Sequence, residues 1–383
     1  MKTKHKNRDS AHFPVWENKD TENRDSAHFP LSREKWALSL FSPWALSLFS
    51  KCYGVAVSLR NEMYDRGIFK EEKLPCKVIS VGNITVGGTG KTPMVIMLAT
   101  LLKENGCKPV VLSRGYGGRS KSPVNIVSDG FRIMMGHVEA GDEPVLIAKS
   151  TEGVPVITGP KRTQTGRVAI EKLGADVLIL DDGFQHRGIF RDINIVLLDR
   201  DKPFGNGYLL PRGPLREPPE SMKRADLIIW RDSSPDGRYP IYQEQGIDKF
   251  LPVLSGHLRP KSLIRGNTGE AFPLEHIKGK RLCAFAGVGS PKSFRQTIES
   301  LGGMPVSFLP YPDHYRYSME DLRNIREKAS AAGAELIITT EKDGIRLADF
   351  PDFLQEIYML QVEMEMLPSR EIFENMILEE LRK

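Results

Sequence analysis

Cysteine is scarce in this chain of 383 residues: four, at positions 52, 76, 107 and 283, with no C-x-x-C pair and no histidine nearby at metal-ligand spacing. That excludes a disulfide framework and a structural zinc site, and it points to reduced cytoplasmic thiols. The uncharged run from Trp36 to Ser50 holds 15 residues, with Pro43 and four serines among them. A bilayer-spanning helix needs roughly 20 apolar residues, so a simple span is not encoded there. Lys2, Lys4 and Lys6 are not followed by an apolar core, which excludes a secretory signal. Aromatic residues, 8% of the chain, nowhere interleave with basic ones, and the net charge of +5 forms no single basic block. Nucleic acid is therefore not an expected partner. The modest positive balance argues only weakly for an anionic surface or substrate.

What is present is an ordinary globular composition, 40% hydrophobic and 27% charged, in a length that suggests two domains with separate cores. The most informative stretch is Val78 to Pro93. Val78 to Val81 is a β-branched run that reads as a buried parallel strand. Gly87, Gly88, Thr89, Gly90, Lys91 and Thr92 follow, and an apolar pattern of helical spacing continues from Pro93. Strand, glycine loop and helix form the context in which a Walker-type string cradles phosphate. Glycines let backbone N–H groups turn onto phosphate oxygens, and the helix N-terminus adds partial positive charge. In that arrangement Lys91 reaches the β- and γ-phosphates and the Thr92 hydroxyl ligates Mg²⁺. Pro93 fits the first turn, where its missing donor is not needed. Thr85 stands where the standard string has its first glycine. A plain glycine turn that binds nothing is the competing reading.

Residues 1–35 are polar and contain an exact copy, 7–14 recurring as 23–30; residues 36–42 recur as 44–50. Two short copies are too few for a solenoid and read as duplication in a tolerant terminus. Residues 36–70 are expected to hold a helix that lies in a membrane interface, with Trp36, Phe41, Trp44, Phe49 and Tyr53 as anchors and Arg60, Arg66 and Lys70 following. A helix packed on the protein's own core is the open alternative. From Val78 strands and helices alternate as in a parallel α/β sheet. Strands are predicted at 109–112, 154–158, 176–180, 194–198 and 227–230. A proline-rich passage at 211–219 breaks the pattern, and residues 231–279 read as a linker region. A second α/β pattern starts at 280. It carries strands at 281–285, 306–309, 335–339 and 357–360, and helices from 291, 318 and 370, with a short one after Asp343. The predicted fold is thus α/β: a P-loop NTPase-like parallel sheet domain over 71–230 and a smaller α/β domain over 280–383, preceded by an N-terminal hydrophobic or amphipathic helix.

Asp181 and Asp182 end an apolar strand, the place where open α/β sheets bind ligands. Beside a phosphate loop, an acidic residue there holds Mg²⁺ or its water; a strand-ending Asp-Asp-Gly turn is the alternative. Three more clusters fall on predicted loops: 113–119 with Arg114 and Tyr116, the acidic pair Asp142–Glu143 at a helix start where N-capping competes, and 311–317 with Asp313 and His314.

Together these blocks resemble one family. Residues 81–93, Ser113-Arg-Gly-Tyr-Gly-Gly118, Gly141-Asp-Glu-Pro144, Asp181-Asp-Gly-Phe-Gln-His186, residues 205–218, Asp313-His-Tyr315 and Thr340-Glu-Lys-Asp343 occur in the order seen in tetraacyldisaccharide 4'-kinases of Gram-negative bacteria. The resemblance runs from about residue 43 to the C-terminus, and Thr85 is the family's own form. It implies ATP- and Mg²⁺-dependent phosphoryl transfer to the 4'-hydroxyl of an acylated glucosamine disaccharide 1-phosphate in lipid A biosynthesis. It also implies work at the cytoplasmic face of the inner membrane. Lys91, Thr92, Asp181 and Asp182 match its nucleotide and metal positions, and Lys91 and Asp182 also count as catalytic. Asp142 and His314 match the dyad that activates the acceptor hydroxyl. Arg114, Tyr116, Gln185, Arg216 and Glu217 match positions near the disaccharide or its phosphate.

Two other classes compete. A deviant P-loop switch ATPase uses a related loop but carries a signature lysine where this chain has Val86. A non-catalytic membrane scaffold retaining the loop as a fold element is the other.

Overall fold

The computed structural model describes residues 42–232 and 252–383. Helix α1, Pro43–Asp65, starts where the sequence places its proline: Pro43 occupies the first helical turn and the Ser42 hydroxyl accepts from the Ala45 amide at 3.3 Å. One face docks on the protein. The Ser50 hydroxyl donates to the Leu209 carbonyl, Tyr53 to that of Arg216, and Asn61 to the buried Glu217 carboxylate, each at 2.8 Å. The other face shows Trp44 87% exposed, with Leu48, Val55 and Leu59 also open to solvent. The docked face bears out the alternative of a helix packed on the protein's own core. Among the described residues no helix is long and apolar enough to cross a membrane. Trp36, Phe41 and the duplicated terminus lie outside the described residues.

The β-branched runs pair as one twisted sheet. Its central block is parallel: β1 (Lys77–Gly82) lies between β5 (Val177–Asp181) and β6 (Ile193–Asp199), flanked by β2 (Pro109–Ser113), β4 (Val156–Thr158) and β7 (Leu227–Asp232). These strands are buried almost throughout, as expected when helices cover both faces. Helix α2 (Lys91–Glu104) buries Met94, Val95, Leu98, Leu101 and Leu102 on one face; α5 (Arg162–Leu173) packs on the other. A short antiparallel edge strand, β3 (Asn125–Ser128), was not foreseen, because four residues carry too little periodicity.

The C-terminal strands β10 (Arg281–Ala286), β11 (Met304–Pro310) and β12 (Leu336–Thr340) form a second parallel block, with β13 (Ile357–Leu367) beside β12. The stretch expected as a linker holds the correction. Residues 253–265 form β8, which runs parallel to β7 and antiparallel to β13 along the length of both, so one sheet continues through both blocks. The linker expectation started from the polar residues 231–250 and ran on to 279. Pro260 sits opposite Val362, where the register shifts at a bulge, and a missing donor is tolerated there. Residues 233–251 lie outside the described residues. The short helix expected after Asp343 is α8, Glu341–Arg346, two residues earlier because the Thr340 side chain caps it from the Asp343 amide at 3.1 Å.

Candidate active site

The glycine loop joins β1 to α2. Gly87 and Gly90 take φ of 120° and 86°, a region closed to side chains with a Cβ, and Gly87 and Gly88 are exposed. A Cβ on Gly82 would meet that of Phe184 at 2.6 Å, so this glycine lets the 182–187 turn close over the end of β1. Lys91 Nζ lies 3.2 Å from the Asn83 amide oxygen and 3.5 Å from Asp182. Thr92 follows, half-buried in the first turn of α2.

Asp181 pairs with Val81 across β1 and β5, which sets the acidic pair beside the loop. The two neighbours are driven in opposite directions. Burial, then the charges of Glu143 and Asp182, push the Asp181 carboxyl up to about 7. Ser113 donates to its Oδ2 at 2.8 Å, and Oδ1 is buried with no partner. Burial also opposes the charge on Asp182, but Lys91 and Arg216 overcome it and hold that carboxyl below the usual range. Arg216 grips both Asp182 oxygens at 2.7 and 2.8 Å, and Gln185 donates to the Asn83 carbonyl at 2.9 Å.

Across the cleft, Asp142 opens helix α4 (Asp142–Ser150), and its Oδ2 is 3.1 Å from Nδ1 of His314. The residues lie 172 apart in sequence. Tyr116 stacks edge-to-face on the imidazole at 5.5 Å. Burial opposes the charge on Asp142, but the hydrogen bond from His314 and the cations of Arg346 and Lys342 hold it well below the usual carboxylate range. Lys342 in turn bridges to Glu143 at 2.9 Å. A cavity of about 310 Å³ opens beside Asp142, His314, Arg316 and Gly117. Among the described non-glycine residues, positive φ falls on Asp182 and His314, at 51° and 57°. Strain of that kind persists where the surrounding structure imposes it, and it concentrates at working sites.

The structure therefore gathers Lys91, Asp181, Asp182, Gln185 and Arg216 on the loop side and Asp142, His314 and Tyr116 opposite. Arg114 sits on the exposed 114–119 loop, close enough for its charge to act on Arg162 and on His186, which burial and neighbouring cations hold down near 4. Glu217 is 1% exposed, and its Oε2 accepts from Asn61 and Arg224, so it anchors α1 from inside the protein; its Oε1 is buried with no partner. Its apolar sequence surroundings were too few to reveal that depth. Sequence reading also passed over Ser113, Lys342 and Arg346. Arg346 had a usable signal: it follows Asp343 by three, hence on the same face of a helix.

A parallel sheet with a glycine loop opening a helix and an acidic pair on the adjacent strand is the arrangement of an α/β phosphotransferase of kinase type. A family model described as tetraacyldisaccharide-1-P 4'-kinase matches residues 42–382. The chain is 53% identical over 344 residues to the tetraacyldisaccharide 4'-kinase of Syntrophus aciditrophicus (strain SB), covering 87% of this chain and 92% of that protein. It is 41% identical over 316 residues to the protein of that name from Geobacter sulfurreducens (strain ATCC 51573 / DSM 12127 / PCA), covering 82% and 87%. The crystal structure of the "apo" form of LpxK from Aquifex aeolicus in complex with ATP superposes with a TM-score of 0.71 at 33% identity, covering 88% of this chain and 99% of that one. The chain belongs to the tetraacyldisaccharide 4'-kinase family.

Proposed function

We propose that this chain transfers the γ-phosphoryl group of ATP to the 4'-hydroxyl of a tetraacylated glucosamine disaccharide 1-phosphate, in lipid A biosynthesis. The observation that carries this reading is a glycine loop with Lys91 ion-paired to Asp182, together with an Asp142–His314 pair whose neighbour Glu143 lies close enough for its charge to act on Asp181. Loop 82–92 acts as a P-loop: its amides and Lys91 bind the β- and γ-phosphates and neutralise charge that develops during in-line transfer. The sugar hydroxyl loses its proton as it attacks, and the Asp–His pair takes that proton as one unit.

The residues fit a Mg²⁺ ion. Asp181 has a buried, partnerless oxygen and a carboxyl raised by burial and neighbouring negative charge, the condition a cation relieves. Among the described residues no group of three His, Cys, Asp or Glu is placed to hold a metal. Mg²⁺ is commonly held by one or two carboxylates together with substrate phosphates. Thr92, Asp181 and Asp182 would hold it, and it would supply charge neutralisation at the transferring group. Arg114 and Tyr116 border the acceptor side, and Gln185 and Arg216 stand on the loop side beside Asn83 and Asp182. The exposed apolar face of α1 rests on the cytoplasmic side of the inner membrane, where a lipid acceptor is found.

Incubation with γ-labelled ATP, Mg²⁺ and a tetraacylated disaccharide 1-phosphate in detergent should place label on the lipid. ATP hydrolysis without labelled lipid would overturn the reading in favour of a nucleotide switch.

A further inference from the structure

Arg346 belongs to no block that suggested a function, yet every nitrogen of its guanidinium is engaged. It is 5% exposed. Its Nε and one terminal nitrogen both donate to Asp142 Oδ2, at 2.9 and 2.5 Å. The other terminal nitrogen donates to the Gly287 carbonyl at 2.6 Å and to Asp343 at 3.0 Å. Asp343 is fully buried, and it also accepts from the Gly287 amide and the Tyr317 hydroxyl. The guanidinium is therefore fixed in plane by the C-terminal block, and it presents a two-donor fork to one carboxylate oxygen of the central block. That same oxygen is the one that meets His314 Nδ1. A lone carboxylate opening a helix would be free to swing to solvent or to cap its own first turn. Held by the fork, it keeps one oxygen on the imidazole.

We infer that Arg346 is a positioning residue for the phosphoryl transfer: it clamps Asp142 against His314, so that the proton acceptor is assembled only when the C-terminal block delivers α8 to the cleft. This rests on the Asp–His reading above. Arg346 acts on the acceptor hydroxyl through the pair, gripping Asp142 and lying 3.5 Å from His314 Nδ1, and a fork is required because lysine supplies one point charge without the planar pair of donors.

The other charged groups facing the pair are Lys342 from α8, Asp313 and Arg316 from the 311–317 loop, Arg119 from the 114–119 loop, and His137, itself 3.8 Å from Asp349. All of them remain when Arg346 alone is changed. Removal of the Arg346 cation, which helps hold the Asp142 carboxyl down, makes protonation of Asp142 easier. The base then stays protonated to higher pH, and the acidic limb of the rate profile moves up.

The test uses the full chain with ATP, Mg²⁺ and the lipid acceptor, comparing Arg346→Met, Arg346→Lys, Asp142→Asn and the Asp142→Asn/Arg346→Met double variant. Arg346→Met should cut kcat about 10²-fold, the scale of a small misplacement at a reacting centre, with KM for ATP within twofold. Its acidic limb should rise in pH. Arg346→Lys keeps a cation and fills the site, so it should leave the limb near its original place while kcat stays reduced. The double variant, which removes a buried charge of each sign together, should be no slower than Asp142→Asn. A fall in active fraction with an unmoved acidic limb in Arg346→Met would assign Arg346 to fold alone and overturn the inference. So would a multiplicative loss in the double variant, or kcat within twofold of the parent in both single Arg346 variants. If Asp142→Asn itself keeps full activity, the Asp–His reading fails, and it fails independently of Arg346.

Discussion

The two walls of the cleft are built from different materials. The proposed phosphate side is main chain: a glycine loop from one continuous stretch, 82–92, exposed at 86–88, with Lys91 as its charge. The acceptor side is side chain: Asp142, His314 and Arg346, buried or half-buried, from three stretches that meet only in the folded protein. A backbone cradle is pre-organised by φ and ψ, so its geometry survives the loss of any one side chain. A cluster of buried charges is pre-organised by mutual pairing, and removal of one member leaves the others unpaired and costly. The first wall should fail residue by residue, the second as a unit.

The largest expected effect tests that unity. Asp142→Ala and His314→Ala should each lower kcat by roughly 10²–10⁴-fold, with ATP affinity little changed, since neither belongs to the cradle. The double variant should be scarcely slower than the slower single one. Fully multiplicative losses in single-turnover assays would mean two independent roles and would break the contrast. Lys91→Ala comes next, at about 10²–10³-fold in kcat. Unlike the first pair, it should also weaken ATP binding, measured by calorimetry, while circular dichroism stays unchanged. Near-normal transfer would remove the cradle from the mechanism.

A smaller effect concerns the strand pair joining the two blocks. Glu341, at the start of α8, accepts from Gln361 on β13 at 3.0 Å, and burial pushes its carboxyl from 4.5 up to about 7. A folded-state value above the unfolded one means that ionisation works against folding. The contribution of this group is therefore fully present below about pH 4.5 and is lost as pH rises through 7. Glu341→Gln, which mimics the protonated acid, should raise Tm by a few degrees at pH 8 and leave it unchanged at pH 4. An equal change at both pH values would show that ionisation is not the cause. The smallest effect belongs to residues 1–35, which precede the family match at 42. Their polar composition can bury little, so their deletion should leave specific activity in detergent within about twofold. Loss of activity would give the duplicated terminus a role in one of the two walls.

The same contrast explains what could be read in advance. Val78 to Thr92 was legible because strand, glycine turn and helix are each encoded by neighbours. The parallel strands were legible because strands covered on both faces are continuously apolar. The β8 strand was not: the linker expectation ran on over it from the polar residues 231–250, and a bulge opposite Val362 accommodates its Pro260. Glu217 was expected near substrate from the family resemblance, and the helix that buries it comes from residues 43–65, out of reach of any local pattern.

By itself, then, the order of residues determined the strands and helices of each block, the glycine loop with its lysine, and the place of the acidic pair at a strand end, because each depends on contacts between near neighbours. Only the tertiary structure decided that Asp181 and Asp182 titrate in opposite directions, that Glu217 is an anchor, and that Arg346 grips Asp142. Those outcomes depend on burial and on charged and polar groups brought together from chain segments 34 to 204 residues apart, where Coulomb energies grow large enough to choose between protonation states.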